Sequence, residues 1–265
     1  MEKIGFIGMG NMGSAMLKGA LNTFSSGDMT FYDPKESIRD EISAETHVIA
    51  ADSASECAKD VKYLILAVKP QVYDDVAKEI WNDITTDHIV ISIAPNITIS
   101  ELMEMYGPKT RIIRAMPNTP AMVGAGMTAL SAGDALFTDE EINTVIKFFE
   151  SFGKCRFVPE NLMSTVVCAS SSSPAYVFMF IESLADACVK YGMPRKDAYE
   201  FVAQAVYGSA KMVLDTGMNP AQLKDNVCSP GGTTIRAVEA LEENGMRNAL
   251  FKATEKCFNK CEGIE

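Results

Sequence analysis

The sequence contains little of what many catalytic sites require. There are only two histidines in 265 residues, and His88 and His47 each stand beside an apolar run. Both are therefore interpreted as structural, and a mechanism built on a histidine general base is disfavoured. The seven cysteines form no C-x-x-C pair. Cys257 and Cys261 are four residues apart but have no histidine partner. We therefore expect reduced thiols and no metal site.

Basic residues and long apolar runs are scarce too. Lys and Arg number 24 against 35 Asp and Glu, a formal net charge of −11. This charge disfavours nucleic acid or an anionic membrane as the main partner. The longest apolar runs, 63–68 and 89–94, fall short of the roughly 20 residues that a membrane span needs. A first strand beginning near Ile4 leaves no room for an export signal, so we expect a cytoplasmic protein.

The first 115 residues alternate apolar strands with helical segments. The predicted strands are residues 3–8, 29–34, 46–51, 61–70, 87–94 and 110–117. Continuous apolar strands separated by helices are typical of a parallel sheet that is covered on both faces. We therefore predict a doubly wound α/β domain over residues 1–160.

Strand signals stop near residue 160. Residues 173–192 carry an apolar helical stripe that ends at Gly192, and Pro194 and Asn219-Pro220 are typical of two further helix starts. We predict an all-helical domain over residues 161–265. So many apolar positions on a small helical domain indicate that one face is buried against a second copy, in a homodimer.

A glycine motif follows the first predicted strand. Gly8, Gly10 and Gly13 form G-x-G-x-x-G at the start of a helix. The first permits a tight turn, the second lets a pyrophosphate approach the backbone, and the third lets helix and strand pack closely. The motif predicts a Rossmann-type dinucleotide site, with a ligand-free turn as the alternative. The residues of this segment are Ile7, Gly8, Met9, Gly10, Asn11, Met12 and Gly13.

Asp33 ends the second predicted strand, 20 residues beyond Gly13. An acidic side chain there accepts hydrogen bonds from the adenosine ribose 2′-hydroxyl of NAD and repels the 2′-phosphate of NADP. Two alternatives stay open: Lys35 and Arg39 could still host a phosphate, and Asp33-Pro34 could be a simple turn.

Two more strand ends carry polar residues. Ligands in open α/β sheets bind beyond the carboxyl ends of the strands, where residues 67–70 (AVKP) and 114–121 (RAMPNTPA) fall. Lys69 and Asn118 are candidate site residues there. A solvated cap for Lys69 and a turn residue for Asn118 remain equally acceptable interpretations.

Five segments together resemble pyrroline-5-carboxylate reductase. They are GFIGMGNMG (5–13), AVKPQ (67–71), MPNTPA (116–121), SPAY (173–176) and QLKDNVCSPGGTTIRAVEALEENGMR (222–247). SPGGTT followed by LE-x-x-G-x-R is the most specific of these. The resemblance implies reduction of 1-pyrroline-5-carboxylate to L-proline by hydride transfer from NAD(P)H, the last step of proline biosynthesis. It implies NADPH as cofactor, with NADH as the alternative that Asp33 suggests.

The resemblance also implies a substrate site. The substrate carboxylate is expected on backbone N–H groups near residues 231–233, where glycines at a helix start allow close approach. The hydroxyl of Thr234, the one implied catalytic side chain, is expected to bond the ring nitrogen. A protonated C=N bond is already electrophilic, so the protein mainly supplies position. The implied substrate-binding residues are Ser229, Gly231, Gly232, Thr233, Thr234 and Asn226.

On the cofactor side, the resemblance implies contacts along the strand ends. Asp52 is expected near the adenosine ribose, Asn118 at the cofactor, and Glu160, like Asn226, near the cofactor and substrate. The residues expected to line the nicotinamide are Ala67, Val68, Lys69, Pro70 and Ala94. Each substrate site is expected to borrow helices from a second subunit. The homodimer is the expected building block, with a larger ring left open.

The chain departs from the family pattern in places. Ser170–Ser173 stands where S-G-S-G is usual, and Ala94-Pro95-Asn96 stands where Ala-Ala-Gly is usual. A serine at a positive φ would cost about 1 kcal/mol or more. This serine run is the sole support for one alternative, a non-catalytic dinucleotide-binding sensor. A second alternative is a related imine or hydroxyacid oxidoreductase. A hydroxyacid enzyme with a catalytic lysine is disfavoured, because no lysine lies between Lys154 and Lys190.

Overall fold

The structure is a computed structural model that describes residues 3–133 and 135–264. Contacts divide the chain into two units, Met1–Ser172 with Lys260–Glu265 and Ser173–Asn259. The boundary expected after residue 160 stays a prediction, and the two units are described separately.

The first unit is built on one eight-stranded sheet. The strands are β1 Ile4–Ile7, β2 Met29–Tyr32, β3 Ile49–Ala50, β4 Tyr63–Leu66, β5 Ile89–Ser92, β6 Arg111–Met116, β7 Gly126–Ser131 and β8 Gly153–Phe157. Their order is β3-β2-β1-β4-β5-β6-β7-β8. β6 and β7 are antiparallel and the other neighbours are parallel. This confirms the doubly wound fold. The order of the strands along the sheet reverses between β1 and β4, and open α/β sheets bind ligands at such a point.

β7 and β8 are not among the strands that the sequence predicts. β7 follows a 3₁₀ turn at Thr119–Val123, and β8 is a largely exposed edge strand. Their sequences, GMTALS and GKCRF, lack the continuous apolar run that marks the central strands. Pairing within the sheet, rather than local pattern, makes these two segments strands.

Helices cover both faces of the sheet. They are α1 Asn11–Ala20, α2 Glu36–Thr46, α3 Ala54–Lys59, α4 Tyr73–Ile80, α5 Ile99–Tyr106, α6 Asp139–Glu150 and α7 Met163–Val166. On one face Phe6 and Ile65 pack with Phe148 of α6. On the other, Leu64 and Ile112 pack in the cluster that includes α3, α4 and α5 residues. Two buried faces explain why the central strands are apolar throughout.

Helices α5 and α6 begin with the same device. Thr98 with Glu101, and Thr138 with Glu141, each form a capping box at the helix N-terminus. The threonine hydroxyl accepts the third backbone N–H, while the glutamate accepts the threonine N–H. Each cap fixes where its helix leaves the preceding loop.

The second unit confirms the predicted all-helical region. Its helices are α8 Ser173–Lys190, α9 Arg195–Thr216, α10 Pro220–Val227, α11 Thr233–Glu243 and α12 Met246–Cys261, the last of which crosses the unit boundary. α10 starts as predicted, since the Asn219 side chain accepts the Ala221 N–H and Pro220 is the first helical residue. Pro194 is the residue before α9 rather than part of its first turn.

The second unit buries little of its apolar surface. Its buried cluster is Ala185, Ala198 and Val202, with a rim of partly buried neighbours. Large side chains remain exposed, among them Phe178, Met179, Phe201, Tyr207, Leu214 and Phe251. Exposed apolar surface of this extent is typical of a protein interface.

One helical stretch is longer than the apolar runs on which the sequence analysis judged membrane spans. Among the described residues, Glu160–Lys190 is long and apolar enough to cross a membrane by length and composition alone. Polar residues interrupt it, so inspection of fully apolar runs misses it. A single stretch of this kind is a weak indication of a span.

Candidate functional site

The glycine loop joins β1 to α1 and has the geometry that a dinucleotide needs. Gly8 has φ +97°, and a Cβ there would lie 2.8 Å from the Ala67 carbonyl oxygen. A Cβ on Gly13 would lie 2.2 Å from the Gly8 oxygen. At Gly10, no atom of the described residues other than its chain neighbours lies within 4 Å of the Cβ position. Gly8 and Gly13 are thus required by the fold, while Gly10 leaves open space beside the backbone.

Helix α1 presents free backbone donors beside that space. Gly10 is its N-cap residue, and no side chain among the described residues caps it. Because Asn11 and Met12 lie in the first turn, their N–H groups have no acceptor within the helix. The helix start is therefore suited to an anionic phosphate.

Asp33 connects β2 to the glycine loop. It is 8% exposed. Its Oδ2 accepts the Met9 N–H at 2.9 Å, and its Oδ1 accepts the Lys35 N–H at 3.0 Å. Each carboxylate oxygen has two acceptor positions, so one position on each remains for a ribose hydroxyl. Arg39 donates to the Asp33 backbone carbonyl at 2.7 Å, which places a cation beside the acidic residue.

Asp52 and residues 67–70 lie at neighbouring strand ends. Asp52 follows β3, and its N–H donates to Glu56 Oε2 at 2.7 Å. Ala67 follows β4, and its N–H donates to the Ile7 carbonyl at 2.8 Å. Lys69 and Pro70 are exposed. The structure therefore places these predicted residues at the same sheet edge as the glycine loop.

A buried hydroxyl pair fixes the ends of β4 and β5. The Tyr73 hydroxyl donates to the Leu66 carbonyl at 3.0 Å and lies 2.9 Å from Ser92 Oγ. Ser92 Oγ accepts the N–H of Ala94 at 3.3 Å. Burial raises the pKa of Tyr73 to about 12, so the phenol stays protonated. Sequence reasoning missed both hydroxyl residues, since neither belongs to a recognised motif.

Glu160 is held by a residue that sequence reasoning also missed. Its Oε1 accepts the Ile99 N–H at 2.8 Å and Arg114 Nη1 at 3.1 Å. Arg114 lies within the buried strand β6. An arginine inside an apolar strand is a signal that could have identified it, because buried arginine is rare without a partner.

Asn118 follows β6 and bridges three segments. Its Oδ1 accepts the Met127 N–H at 2.9 Å, and its Nδ2 donates to the Ser170 carbonyl at 3.0 Å. The side chain is buried. Its amide is thus largely engaged with the protein at the carboxyl edge of the sheet.

The serine run carries no backbone strain. Residues 167–171 form a π-helical turn, and the Ser172 N–H donates to the Val167 carbonyl at 2.8 Å. Among the described residues, His47 is the one non-glycine residue with a positive φ. The strain considered for Ser170–Ser173, and for Asn96, is therefore absent.

The SPGGTT segment forms the start of α11 in the second unit. Gly231 has φ +71°, which favours glycine. Gly232 is the N-cap residue, its N–H donates to the Ser229 carbonyl at 3.0 Å, and a Cβ there would lie 2.4 Å from Ser229 Oγ. No described side chain caps α11. Thr233 and Thr234 therefore present free N–H groups and hydroxyls at a helix start.

The predicted residues therefore form two groups. The cofactor candidates gather at the carboxyl edge of the sheet in the first unit. The substrate candidates gather at the end of α10 and the start of α11 in the second. Asn226 is exposed on α10 and accepts from Gln222 at 3.0 Å. In the described residues no group of three or more His, Cys, Asp or Glu is placed to hold a metal ion.

Two family models match the chain. One describes pyrroline-5-carboxylate reductase dimerisation and covers residues 160–264. The other describes coenzyme F420-dependent NADP oxidoreductases and covers residues 3–96.

Curated relatives match over nearly the whole chain. Pyrroline-5-carboxylate reductase of Escherichia coli (strain K12) is 48% identical over 265 residues, which is 99% of this chain and 98% of that protein. The enzyme of Methanosarcina acetivorans is 38% identical over 261 residues, 96% of each chain.

Solved structures of pyrroline carboxylate reductases have a fold similar to that of this chain. Pyrroline carboxylate reductase of Plasmodium falciparum with NADP bound has a TM-score of 0.89 and 32% identity, covering 99% of this chain and 98% of that one. The Coxiella burnetii reductase has a TM-score of 0.92 and 29% identity, covering 100% and 98%.

Proposed function

The chain belongs to the pyrroline-5-carboxylate reductase family, and on that premise we propose which of its residues carry each part of the reaction. The protein is an oxidoreductase that reduces 1-pyrroline-5-carboxylate to L-proline with NAD(P)H. Nearly full-length identity of 48% is the observation that carries this conclusion. The non-catalytic alternative had only the serine run as support, and that run is unstrained.

The cofactor site is proposed at the glycine loop and the adjoining strand ends. Open space at Gly10 and the uncapped start of α1 suit a pyrophosphate. When bound, NAD(P)H supplies the hydride. The residues proposed to bind it are Ile7, Gly8, Met9, Gly10, Asn11, Met12, Gly13, Asp33, Asp52, Ala67, Val68, Lys69, Pro70, Ala94, Asn118 and Glu160.

The choice between cofactors is proposed to depend on Asp33. NADPH is the cofactor that the NADP-bound relative supports. The Asp33 carboxylate, held by two backbone N–H groups, would accept a ribose 2′-hydroxyl and repel a 2′-phosphate. Arg39 on the same residue's carbonyl would offset part of that repulsion. We therefore expect turnover with both NADPH and NADH.

The substrate site is proposed at the start of α11. The carboxylate would lie on N–H groups near residues 231–233, where Gly231 and the N-cap residue Gly232 shape the turn. The Thr234 hydroxyl would bond the ring nitrogen, accepting from it or donating to it according to its protonation. Ser229 and Asn226 complete the proposed site. No ionisable side chain is needed, because the protonated C=N bond is already electrophilic.

The second unit supplies dimerisation. The homodimer is the building block, and the substrate is a small molecule. We further propose residues 1–160 as the dinucleotide-binding domain and 161–265 as the substrate-binding and dimerisation domain. A location in the cytoplasm, the absence of nucleic-acid and membrane partners, and assembly of dimers into a larger ring also belong to this proposal. The exposed side chains of α8 and α9 then cover a partner subunit rather than contact lipid.

The test is the initial rate of pyrroline-5-carboxylate reduction by the purified protein, with NADPH and NADH in parallel. Turnover with either cofactor is expected. A folded dimer that binds dinucleotide but reduces neither would contradict the proposal and direct attention to another imine substrate.

A further inference from the structure

Arg114 is the least expected charge in the first unit. Its side chain is 7% exposed. Nη1 donates to Glu160 Oε1 at 3.1 Å, and Nη2 donates to the Pro95 carbonyl oxygen. Its Nε is buried without a partner among the described residues. Burying a charged group with one donor unpaired destabilises the fold, so this arginine calls for a functional explanation.

The bonds of Arg114 converge on one short segment, residues 94–98. This segment connects β5 to α5. Arg114 holds its Pro95 carbonyl directly, and Glu160 holds the N–H of Ile99, where α5 begins. Ser92 holds the N–H of Ala94 at the other end. The segment is therefore fixed at both ends and at its turn.

The position of this segment suggests why it is fixed. It lies beyond the carboxyl end of β5, at the sheet edge where open α/β sheets bind ligands. Its first residue, Ala94, is among those proposed to line the nicotinamide. Hydride transfer depends steeply on the placement of donor and acceptor, and a shift of about 1 Å can cost about 10²-fold in rate.

We propose that Arg114 is a positioning residue for hydride transfer, acting through Pro95 and Glu160 to fix residues 94–98. The inference rests on the proposed function. The bonds of Glu160 to Ile99 and Arg114 both go to Oε1, which leaves Oε2 on a side chain that is 33% exposed. That oxygen stays available to a ligand while Oε1 holds the loop.

The chain offers a matched control on the same strand. Arg111 also pairs with a buried glutamate, since its Nη1 donates to Glu141 Oε1 at 2.7 Å. Its Nη2 donates to the Asp87 carbonyl at 2.6 Å, and its Nε is likewise buried and unpartnered within the described residues. It lies at the amino end of β6, about 10 Å away along the strand. Its side chain is 19% exposed, and its variants report what a partly buried arginine paired with a glutamate contributes to folding alone.

The experiment compares Arg114→Lys with Arg111→Lys in the full-length dimer. The readouts are thermal midpoint, NADPH dissociation constant, and the single-turnover rate of NADPH oxidation after mixing with pyrroline-5-carboxylate. Lysine keeps the charge but cannot reach both acceptors. Arg114→Lys is expected to lower the single-turnover rate by about 10- to 100-fold, with the dissociation constant changed by less than about threefold. Arg111→Lys is expected to lower the thermal midpoint and leave the rate within about twofold.

Glu160→Gln keeps the test decisive if Arg114→Lys does not fold. Its side chain is partly exposed, and the amide oxygen can still accept the Ile99 N–H. A rate about tenfold below wild type is expected. Rates in folded Arg114→Lys or Glu160→Gln that match those of Arg111→Lys would overturn the inference. A wild-type protein that binds NADPH but does not turn over would instead contradict the proposed function, and this inference with it.

Discussion

Two arginines of β6 use the same local chemistry for different purposes. Arg111 and Arg114 each pair one guanidinium nitrogen with a glutamate and another with a backbone carbonyl. At the amino edge, Arg111 ties β6 to the start of α6 and to the loop before β5. At the carboxyl edge, Arg114 ties β6 to the segment after β5. The bonding pattern alone does not reveal a role; the edge of the sheet on which it lies does.

The largest expected effect is a loss of cofactor binding at the carboxyl edge of the sheet, with little loss of stability. Gly10→Val at the carboxyl edge is expected to abolish dinucleotide binding, because the backbone could no longer approach the pyrophosphate. Gly10 has an extended conformation, with φ −67° and ψ −173°, and apart from its chain neighbours nothing described lies within 4 Å of its Cβ position. The cost should be limited to a weaker N-cap on α1, so the thermal midpoint should fall by no more than about 4 °C. Cofactor titration by fluorescence checks the first statement; a large fall in midpoint would break the comparison.

At the amino edge, the expected effect is on stability. Burial is the largest influence on the Glu141 carboxylate and opposes its ionisation. The Thr138 N–H, Arg111 and Lys62 together outweigh it and lower the pKa of Glu141 to about 2 from 4.5. A lowered pKa stabilises the folded state above pH 4.5, and this contribution disappears as the pH falls towards 2.

Glu141→Gln should therefore lower the free energy of unfolding at pH 7 by about 3 kcal/mol. The variant should lose less stability than wild type between pH 5 and pH 3. Urea unfolding at equal protein concentration measures both. Parallel pH profiles of stability for the two proteins would show that Glu141 does not titrate as described. A lower turnover per folded molecule of Glu141→Gln would show that the amino edge also affects catalysis, contrary to the comparison.

Thr234→Ala extends the comparison to the second unit. Loss of the hydroxyl from the start of α11 is expected to lower kcat/KM for pyrroline-5-carboxylate by about 10- to 100-fold. The NADPH dissociation constant should be unchanged. Ser209→Ala is a suitable control, because the bond that the Ser209 hydroxyl makes within the described residues goes to the Ala205 carbonyl of its own helix. Equal kinetics in the two variants would remove the proposed hydroxyl role.

The smallest effect concerns cofactor choice at the carboxyl edge. Asp33→Asn keeps the shape of the side chain and removes its charge. We expect the ratio of kcat/KM for NADPH to that for NADH to rise about tenfold. Asp40→Asn, on the exposed side of α2, controls for net charge. A proportional loss with both cofactors would assign Asp33 to bracing the glycine loop alone.

The sequence predicts which edge of the sheet binds ligand, but it does not predict most of the side-chain pairs that shape that edge. Continuous apolar strands and the glycine spacing locate the carboxyl edge, because both signals are local. Glu160 is 46 residues from Arg114, and Tyr73 is 19 from Ser92, so these pairs exist only once the sheet has formed. An arginine in the run RIIRAM is the one local sign of the first pair.

The structure also differs from the sequence prediction in the backbone angles of the serine run. The serine run departs from a family pattern with glycines, and sequence reasoning can state only the cost of a positive φ. The π-helical turn at 167–171 keeps every described serine there at a negative φ. Whether a glycine is required depends on backbone angles, which no local pattern gives.

The small core of the second unit has a consequence for the life of the protein in a cell. With Ala185, Ala198 and Val202 as its buried cluster, a subunit without its partner presents extensive apolar helix surface. Stability of such a chain rises with its own concentration. For a newly made subunit, dimerisation therefore competes with binding to chaperones and degradation by proteases. Abundance of the enzyme should thus respond more than proportionally to its rate of synthesis, since scarce subunits are removed before they meet.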